Sequence, residues 1–173
     1  MRLFAAVPLD ETLRKAAAEY QNLLREAGVT GNFTPKENLH ITLAFIGEYD
    51  DPARVFAALH SVKFKPFTVR LDGTGRFPNL LWVGAAPRGK LEALAQDVRD
   101  ALAAGNIPFD RKPFRAHVTI ARKTRNDAKA PSLNPGNAEM TVDRIVLMQS
   151  RLDRAGAVYT PVGNVPAAAE EET

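Results

Sequence analysis

Apolar positions along this chain switch between a period of two and a period near 3.6, and the switches predict the elements. Leu3 to Val7 is a short apolar run ended by Pro8, which reads as a strand. Asp10 then stands as a helix N-cap before Leu13, Ala16, Ala17, Tyr20, Leu23 and Leu24 at helical spacing, and Gly28 fits the helix stop. Residues 31–38 read as a loop. Leu39 to Ile46 is a second strand, rich in branched and aromatic residues and closed by Gly47. Alternation puts His40 and Thr42 on one face of it, and Ile41 and Leu43 on the other, toward a core. Asp50 or Asp51 caps a short helix with Pro52 at its first position and Val55, Phe56 and Leu59 on its apolar face.

The second half is read in the same way. Phe67, Val69 and Leu71 alternate as a strand, and Gly73 and Gly75 read as a turn. Leu80 to Val83 is a strand. Pro87 opens a helix carrying Leu91, Leu94, Ala95, Val98 and Leu102, and Gly105 closes it. A basic loop, Asp110 to Arg115, leads into another strand at His117. The polar stretch 123–137, with Pro131, Pro135 and Gly136, reads as a loop. Val142 to Met148 and Ala157 to Val162 read as the final strands. From Asn164 the chain is small and acidic, and residues 164–173 are expected to be a disordered tail.

One pattern occurs twice. His40-Ile41-Thr42-Leu43-Ala44 returns as His117-Val118-Thr119-Ile120-Ala121, and two of the three histidines carry it. The order strand, helix, loop, His strand occurs from Leu3 to Phe45 and again from Leu80 to Ala121. Gly84 precedes His117 by the same interval as Val7 precedes His40. These repeats predict an internal duplication. The expected fold is α+β, with two pseudo-symmetric lobes that each hold a mainly antiparallel sheet and helices. The His strands would face one another across a central cleft, and residues 1–163 would form this single bilobal domain.

Composition narrows the function. With 173 residues the chain can bury a core without staples, and with no cysteine it has no disulfide or thiolate metal site. No signal peptide or membrane-spanning run is evident, so a cytoplasmic protein with no membrane partner is expected. The net charge is +3, with three of the acids at Glu170, Glu171 and Glu172. Setting those aside leaves 23 basic against 17 acidic residues, a body compatible with a polyanionic partner.

Two histidines across a groove can divide proton donation and acceptance, since imidazole titrates near neutrality. Each Thr hydroxyl, two residues on, can donate to a phosphoryl oxygen. Such a set suits chemistry at a phosphate ester, where charge spreads over the non-bridging oxygens, and it needs neither metal nor covalent intermediate. Zinc would require a third ligand, which neither motif supplies at strand or helical spacing. Gly73-x-Gly75 is no nucleotide fingerprint, because Pro78 takes the place of the third glycine. His60 reads as an exposed residue ending a helix, and Trp82 as core.

The motifs HITLAFIG at His40 and RAHVTIAR ending at Arg122 resemble those of the two-histidine (2H) phosphoesterase superfamily. Within it, RLFAAVPLDE, LHITLAFIGE and GRFPNLLWVG are most similar to the RNA 2′,3′-cyclic phosphodiesterases, also called 2′-5′ RNA ligases. The resemblance implies metal-independent hydrolysis of an RNA or nucleoside 2′,3′-cyclic phosphate to a 2′-phosphomonoester. It makes His40 the general acid and His117 the general base, with Thr42, Thr119 and Arg122 holding the phosphate. Arg76, Phe77, Arg111, Lys112 and Arg115 are candidate RNA contacts. No metal and no cofactor are expected. The expected partners are RNA ends or cyclic nucleotides, met by a monomer. Two rival readings are ligation, the reverse direction, and a non-catalytic module that binds RNA ends.

Overall fold

The computed structural model describes residues 1–133 and 136–168. Its strands are β1 (Arg2–Pro8), β2 (Thr30–Phe33), β3 (His40–Glu48), β4 (Phe67–Phe77), β5 (Leu80–Ala86), β6 (His117–Arg125), β7 (Glu139–Val142), β8 (Arg144–Asp153) and β9 (Gly156–Pro166). The helices are α1 (Glu11–Glu26), α2 (Pro52–His60) and α3 (Arg88–Ala104).

Helix starts follow their caps. The Asp10 carboxylate accepts from the Leu13 amide at 3.0 Å, and Asp51 accepts from the Arg54 amide at 3.1 Å. Each cap satisfies an otherwise orphaned amide and contributes about 1 kcal/mol. Pro52, which lacks an amide hydrogen, opens α2 at no cost in hydrogen bonds. On α1 the apolar stripe Leu13, Ala17, Tyr20 and Leu24 is buried. Burying each leucine contributes roughly 1.5–3 kcal/mol.

The strands form one antiparallel sheet in the order β7-β4-β5-β6-β3-β1-β8-β9, with β2 paired to β6. This order reads as two halves related about its middle. β3 is followed outward by β1, β8 and β9, and β6 by β5, β4 and β7. The α+β architecture with two similar halves is therefore present, and the halves join through Ile41 opposite Val118. Their helices interlock. α1 packs against β2 and β7, which belong to the second half, while α3 packs against β3 and β5. The main core runs continuously under both halves, from Leu13, Leu24, Ile41 and Leu43 to Leu91, Leu102, Val118 and Ile120.

Several expectations need correction. Residues 30–33 are not loop: they form β2 along β6, with Asn32 opposite Arg122 and Phe33 opposite Ala121. Gly73 and Gly75 lie inside β4 at a register shift between Leu71 and Thr74. The turn comes later, at Pro78 and Asn79, where Asn79 takes φ 62°. Residues 123–125 belong to β6, and β7 was not predicted. The matching intervals to Val7 and Gly84 slip by one residue, for His40 lies opposite Pro8 and His117 opposite Gly84.

The tail also starts later than expected. β9 runs to Pro166, Val165 is buried, and the Ala167 and Ala168 amides donate to the carbonyls of Asp143 and Phe64. Main-chain pairing with β8 orders these residues despite their small side chains. Pro135 and the acidic Glu170 to Glu172 lie outside the described residues. Among the described residues, no helix is long and apolar enough to cross a membrane.

Candidate active site

Strict alternation would put His40, Thr42 and Ala44 on one face of β3, and His117, Thr119 and Ala121 on one face of β6. A bulge in each strand changes this. On β3 the pairing passes from Thr42–Ala6 to Ala44–Ala5 and skips Leu43. On β6 it passes from Thr119–Trp82 to Ala121–Leu81 and skips Ile120. The extra residue sends Ala44 and Ala121 into the core, where both are buried, and turns the residue after each one outward. Phe45 and Arg122 therefore join the His-x-Thr face, each five places after its histidine. Gln21 on α1 braces the second bulge. Its amide donates to the carbonyls of Ile120 (3.1 Å) and Thr34 (2.9 Å).

The two imidazoles are held alike. His40 Nδ1 lies 2.6 Å from the Asn38 carbonyl oxygen, and His117 Nδ1 lies 2.7 Å from that of Arg115. A carbonyl only accepts, so in both rings Nδ1 carries the hydrogen. Nε2 is left as the basic position of each neutral ring. The motifs differ at the next atom. Thr42 Oγ sits 2.8 Å from His40 Nε2 and donates to it, whereas the Thr34 hydroxyl donates to the Thr119 carbonyl. Asn38, itself buried, is tied to β9 by its amide donating to the Ala157 carbonyl at 2.9 Å.

Burial pushes the His40 pKa down to about 4. The Asn38 carbonyl opposes the shift by stabilising the protonated ring, and electrostatic interaction with His117 and Arg122 adds to it. By this shift His40 is a neutral imidazole at pH 7.

Aromatic rings flank each histidine. Phe4 and Tyr159 lie 5.1 and 5.3 Å from His40 between ring centroids. Trp82 and Phe77 lie 6.1 and 6.3 Å from His117. Trp82 was expected in the core but is only half-buried, because it pairs with Thr119 and so lies on the His117 face, its indole resting over Gly75 of β4.

Phe4, Phe77 and Tyr159 line a cleft of about 1010 Å³ that holds His40, Thr42, His117, Thr119 and Arg122 together. Of the candidate RNA contacts, Phe77, Lys112 and Arg115 line it, with the Arg115 guanidinium 5.7 Å over the Phe77 ring. Arg76 and Arg111 do not. Arg76 pairs with Leu81, whose side chain points to the core, so Arg76 leaves on the face opposite Phe77. The Arg111 guanidinium instead covers the Phe109 ring at 4.6 Å. His60 ends α2 against Phe56 and lies apart from the cleft.

Sequence reasoning missed Arg2, Phe4, Phe45, Arg99, Ser150 and Tyr159, all of which line the cleft. The repeat held a signal for Phe45, which occupies the place of Arg122 in the other half. Nothing in the periodicity marked Arg99 on α3. Among the described residues, no cluster of three or more His, Asp or Glu is arranged to hold a metal ion.

Comparison with known proteins agrees with this arrangement. The sequence model of the 2′-5′ RNA ligase superfamily matches residues 8–154. An Archaeoglobus fulgidus RNA 2′,3′-cyclic phosphodiesterase is 35% identical over 174 residues, covering 92% of this chain and 96% of that protein. A Thermus thermophilus protein of the same name is 33% identical, covering 92% and 87%. In three dimensions, the crystal structure of a Thermus thermophilus protein superposes with a TM-score of 0.83 at 31% identity, covering 99% of this chain and all of that one. E. coli LigT in its apo form gives 0.83 at 27% identity, covering 97% and 98%; it has also been solved with 3′-AMP, ATP, NADP+ and phosphate.

Proposed function

Because the chain belongs to the 2′-5′ RNA ligase superfamily, we propose that it hydrolyses a 2′,3′-cyclic phosphate at an RNA or nucleoside end to a 2′-phosphomonoester, with protein side chains supplying both proton transfers. The observation that carries this reading is the matched pair of imidazoles. Both pin Nδ1 on a carbonyl two residues earlier and line one cleft with Arg122. The names of the relatives, all RNA 2′,3′-cyclic phosphodiesterases, agree with it.

In the proposed reaction, water attacks phosphorus and the bond from phosphorus to the 3′ oxygen breaks. His117 Nε2 takes the proton from the attacking water. His40 Nε2, protonated, gives its proton to the departing 3′ oxygen. Thr42, Thr119 and the Arg122 guanidinium hold the non-bridging oxygens, where charge develops. The exposed Phe45 ring offers a surface on which a base can stack.

A general acid must arrive protonated, whereas burial favours the neutral form of His40. The substrate supplies the remedy: a cyclic phosphate carries a negative charge and, seated between His40, His117 and Arg122, favours the imidazolium. The lowered His40 value equally supports the reversed assignment, with His40 as base and His117 as acid. A nucleoside phosphodiester with a 4-nitrophenol leaving group separates the two, since that oxygen departs without a proton. His40→Ala retaining turnover on this ester while losing it on the cyclic phosphate assigns His40 as the acid; the same behaviour in His117→Ala reverses the roles.

The first test of the function is incubation with adenosine 2′,3′-cyclic phosphate in excess chelator, with products resolved by isomer. A 2′-phosphate product supports the reading, and absence of any product overturns it. The same reading has the protein act as a cytoplasmic monomer on RNA ends.

A further inference from the structure

Arg99 reaches the cleft from a helix of the core layer. It projects from α3, a helix whose Leu91, Leu94, Ala95, Val98 and Leu102 face the core, and its side chain still lines the cleft. The gap that admits it follows from the sheet. β3 and β6 pair at Ile41 and Val118, and the chain before β6 then leaves β3 as an arm, residues 109–115, while the Ala116 carbonyl still accepts from the Ala85 amide of β5. Three bonds fix its first part, residues 110–112. The Asp110 amide donates to the Phe45 carbonyl at 2.8 Å. The Lys112 amide donates to the Asp110 carboxylate at 2.9 Å. Arg99 Nη1 donates to the Lys112 carbonyl at 2.9 Å.

Beyond that bond the guanidinium lies 5.8 Å over the Phe109 ring, a contact that uses none of its N–H donors. Arg99 Nε is buried with no partner, and among the described residues no carboxylate pairs with Arg99. Asp110, the acid of the arm, also lines the cleft and accepts from the Lys112 amide through Oδ1. Arg99 is partly exposed and lines the cleft, and its planar fork of donors matches a phosphate. Lys112, exposed and without an ion pair among the described residues, lines the same cleft, and its backbone carbonyl meets Arg99.

The geometry points to Arg99 and Lys112 as a second anion subsite, which takes the phosphate on the 5′ side of the terminal nucleotide. The scissile phosphate is already provided for by His40, His117, the two threonines and Arg122. Lys112 lies five residues before His117, so its backbone is at most roughly 17 Å from that histidine, a reach within one or two nucleotides. This inference rests on the cyclic phosphodiesterase reading and adds a substrate preference to it: ends that carry a 5′ phosphate or a preceding nucleotide over a bare cyclic nucleoside phosphate.

Three substrates test it: adenosine 2′,3′-cyclic phosphate, its 5′-phosphorylated form, and the dinucleotide ending in the same cyclic phosphate. The wild-type protein is expected to prefer the second and third over the first by about tenfold in kcat/KM, the size of one hydrogen bond to a charged group. Arg99→Gln should remove that preference and flatten its salt dependence, and Arg99→Lys should restore part of it. If Arg99 merely holds the arm through the Lys112 carbonyl, Arg99→Gln lowers all three rates alike and the preference survives, which overturns the inference. Equal wild-type rates on the three also overturn it. Calorimetry covers the case in which nothing turns over and the catalytic reading itself has failed. Adenosine 2′,5′-bisphosphate should then bind the wild-type protein about tenfold more tightly than adenosine 2′-phosphate, and Arg99→Gln should erase the difference. Equal binding of the two by the wild-type protein ends the proposal independently of catalysis.

Discussion

Ile41 lies opposite Val118, and among the described residues this pair sets β3 and β6 in register. The residue before each is a histidine. The pair is buried in the core on one side of the sheet, and the two histidines line the cleft on the other. The geometry of the site thus depends on packing beneath it as well as on the imidazoles themselves.

Replacing either histidine tests the chemistry. His40→Ala and His117→Ala should each lower kcat on adenosine 2′,3′-cyclic phosphate by about 10²–10⁴, the usual worth of a positioned proton-transfer group. Circular dichroism should show the fold intact. Turnover near the wild-type rate in either variant contradicts the proposed roles.

His40 also ties stability to pH. Its folded pKa, about 4, lies below the 6.5 of an unfolded histidine. The unfolded chain therefore binds more protons between these values, and stability falls as pH drops from 6.5 toward 4. The loss attributable to His40 has an upper limit of about 3 kcal/mol. His40→Gln should flatten the decline in a series of urea titrations across that window. An equally steep decline in the variant would assign the acid sensitivity to other groups.

Gln21 is expected to matter far from the substrate. It is buried on α1 and satisfies the carbonyls of Thr34 and Ile120, the latter at the bulge that turns Arg122 into the cleft. Gln21→Leu leaves those oxygens with one partner fewer and should cost about 1–3 kcal/mol. Through Arg122 it should raise KM more than Glu19→Gln, an exposed change on the same helix. Unchanged KM in Gln21→Leu would separate the bulge from phosphate binding.

Gly75 makes room for Trp82. A Cβ at that position would overlap the indole ring, which lies beside His117. Gly75→Ala should shift the tryptophan fluorescence maximum and reduce kcat by displacing the imidazole. Since Trp82 is the chain's one tryptophan, the signal is unambiguous. A variant with native fluorescence and native kcat would show that β4 yields instead.

What the chain determined by itself was local. Caps at Asp10 and Asp51, the helical stripes, and the alternation that sets His40 and Thr42 apart from Ile41 all arise between near neighbours, so they can be read without the fold. The repeated His-x-Thr likewise announced two related halves. Tertiary structure decided what depends on distant partners. β2 and β7 are strands because β6 and β4 lie beside them; β2 has no apolar alternation, and that of β7, Met140 and Val142, spans only four residues. Arg122 and Phe45 reach the cleft through bulges that exist only in relation to β5 and β1. Arg99 enters because β3 and β6 part company beyond one residue pair. Such features follow from strand pairing across long stretches of sequence, and no local period encodes that.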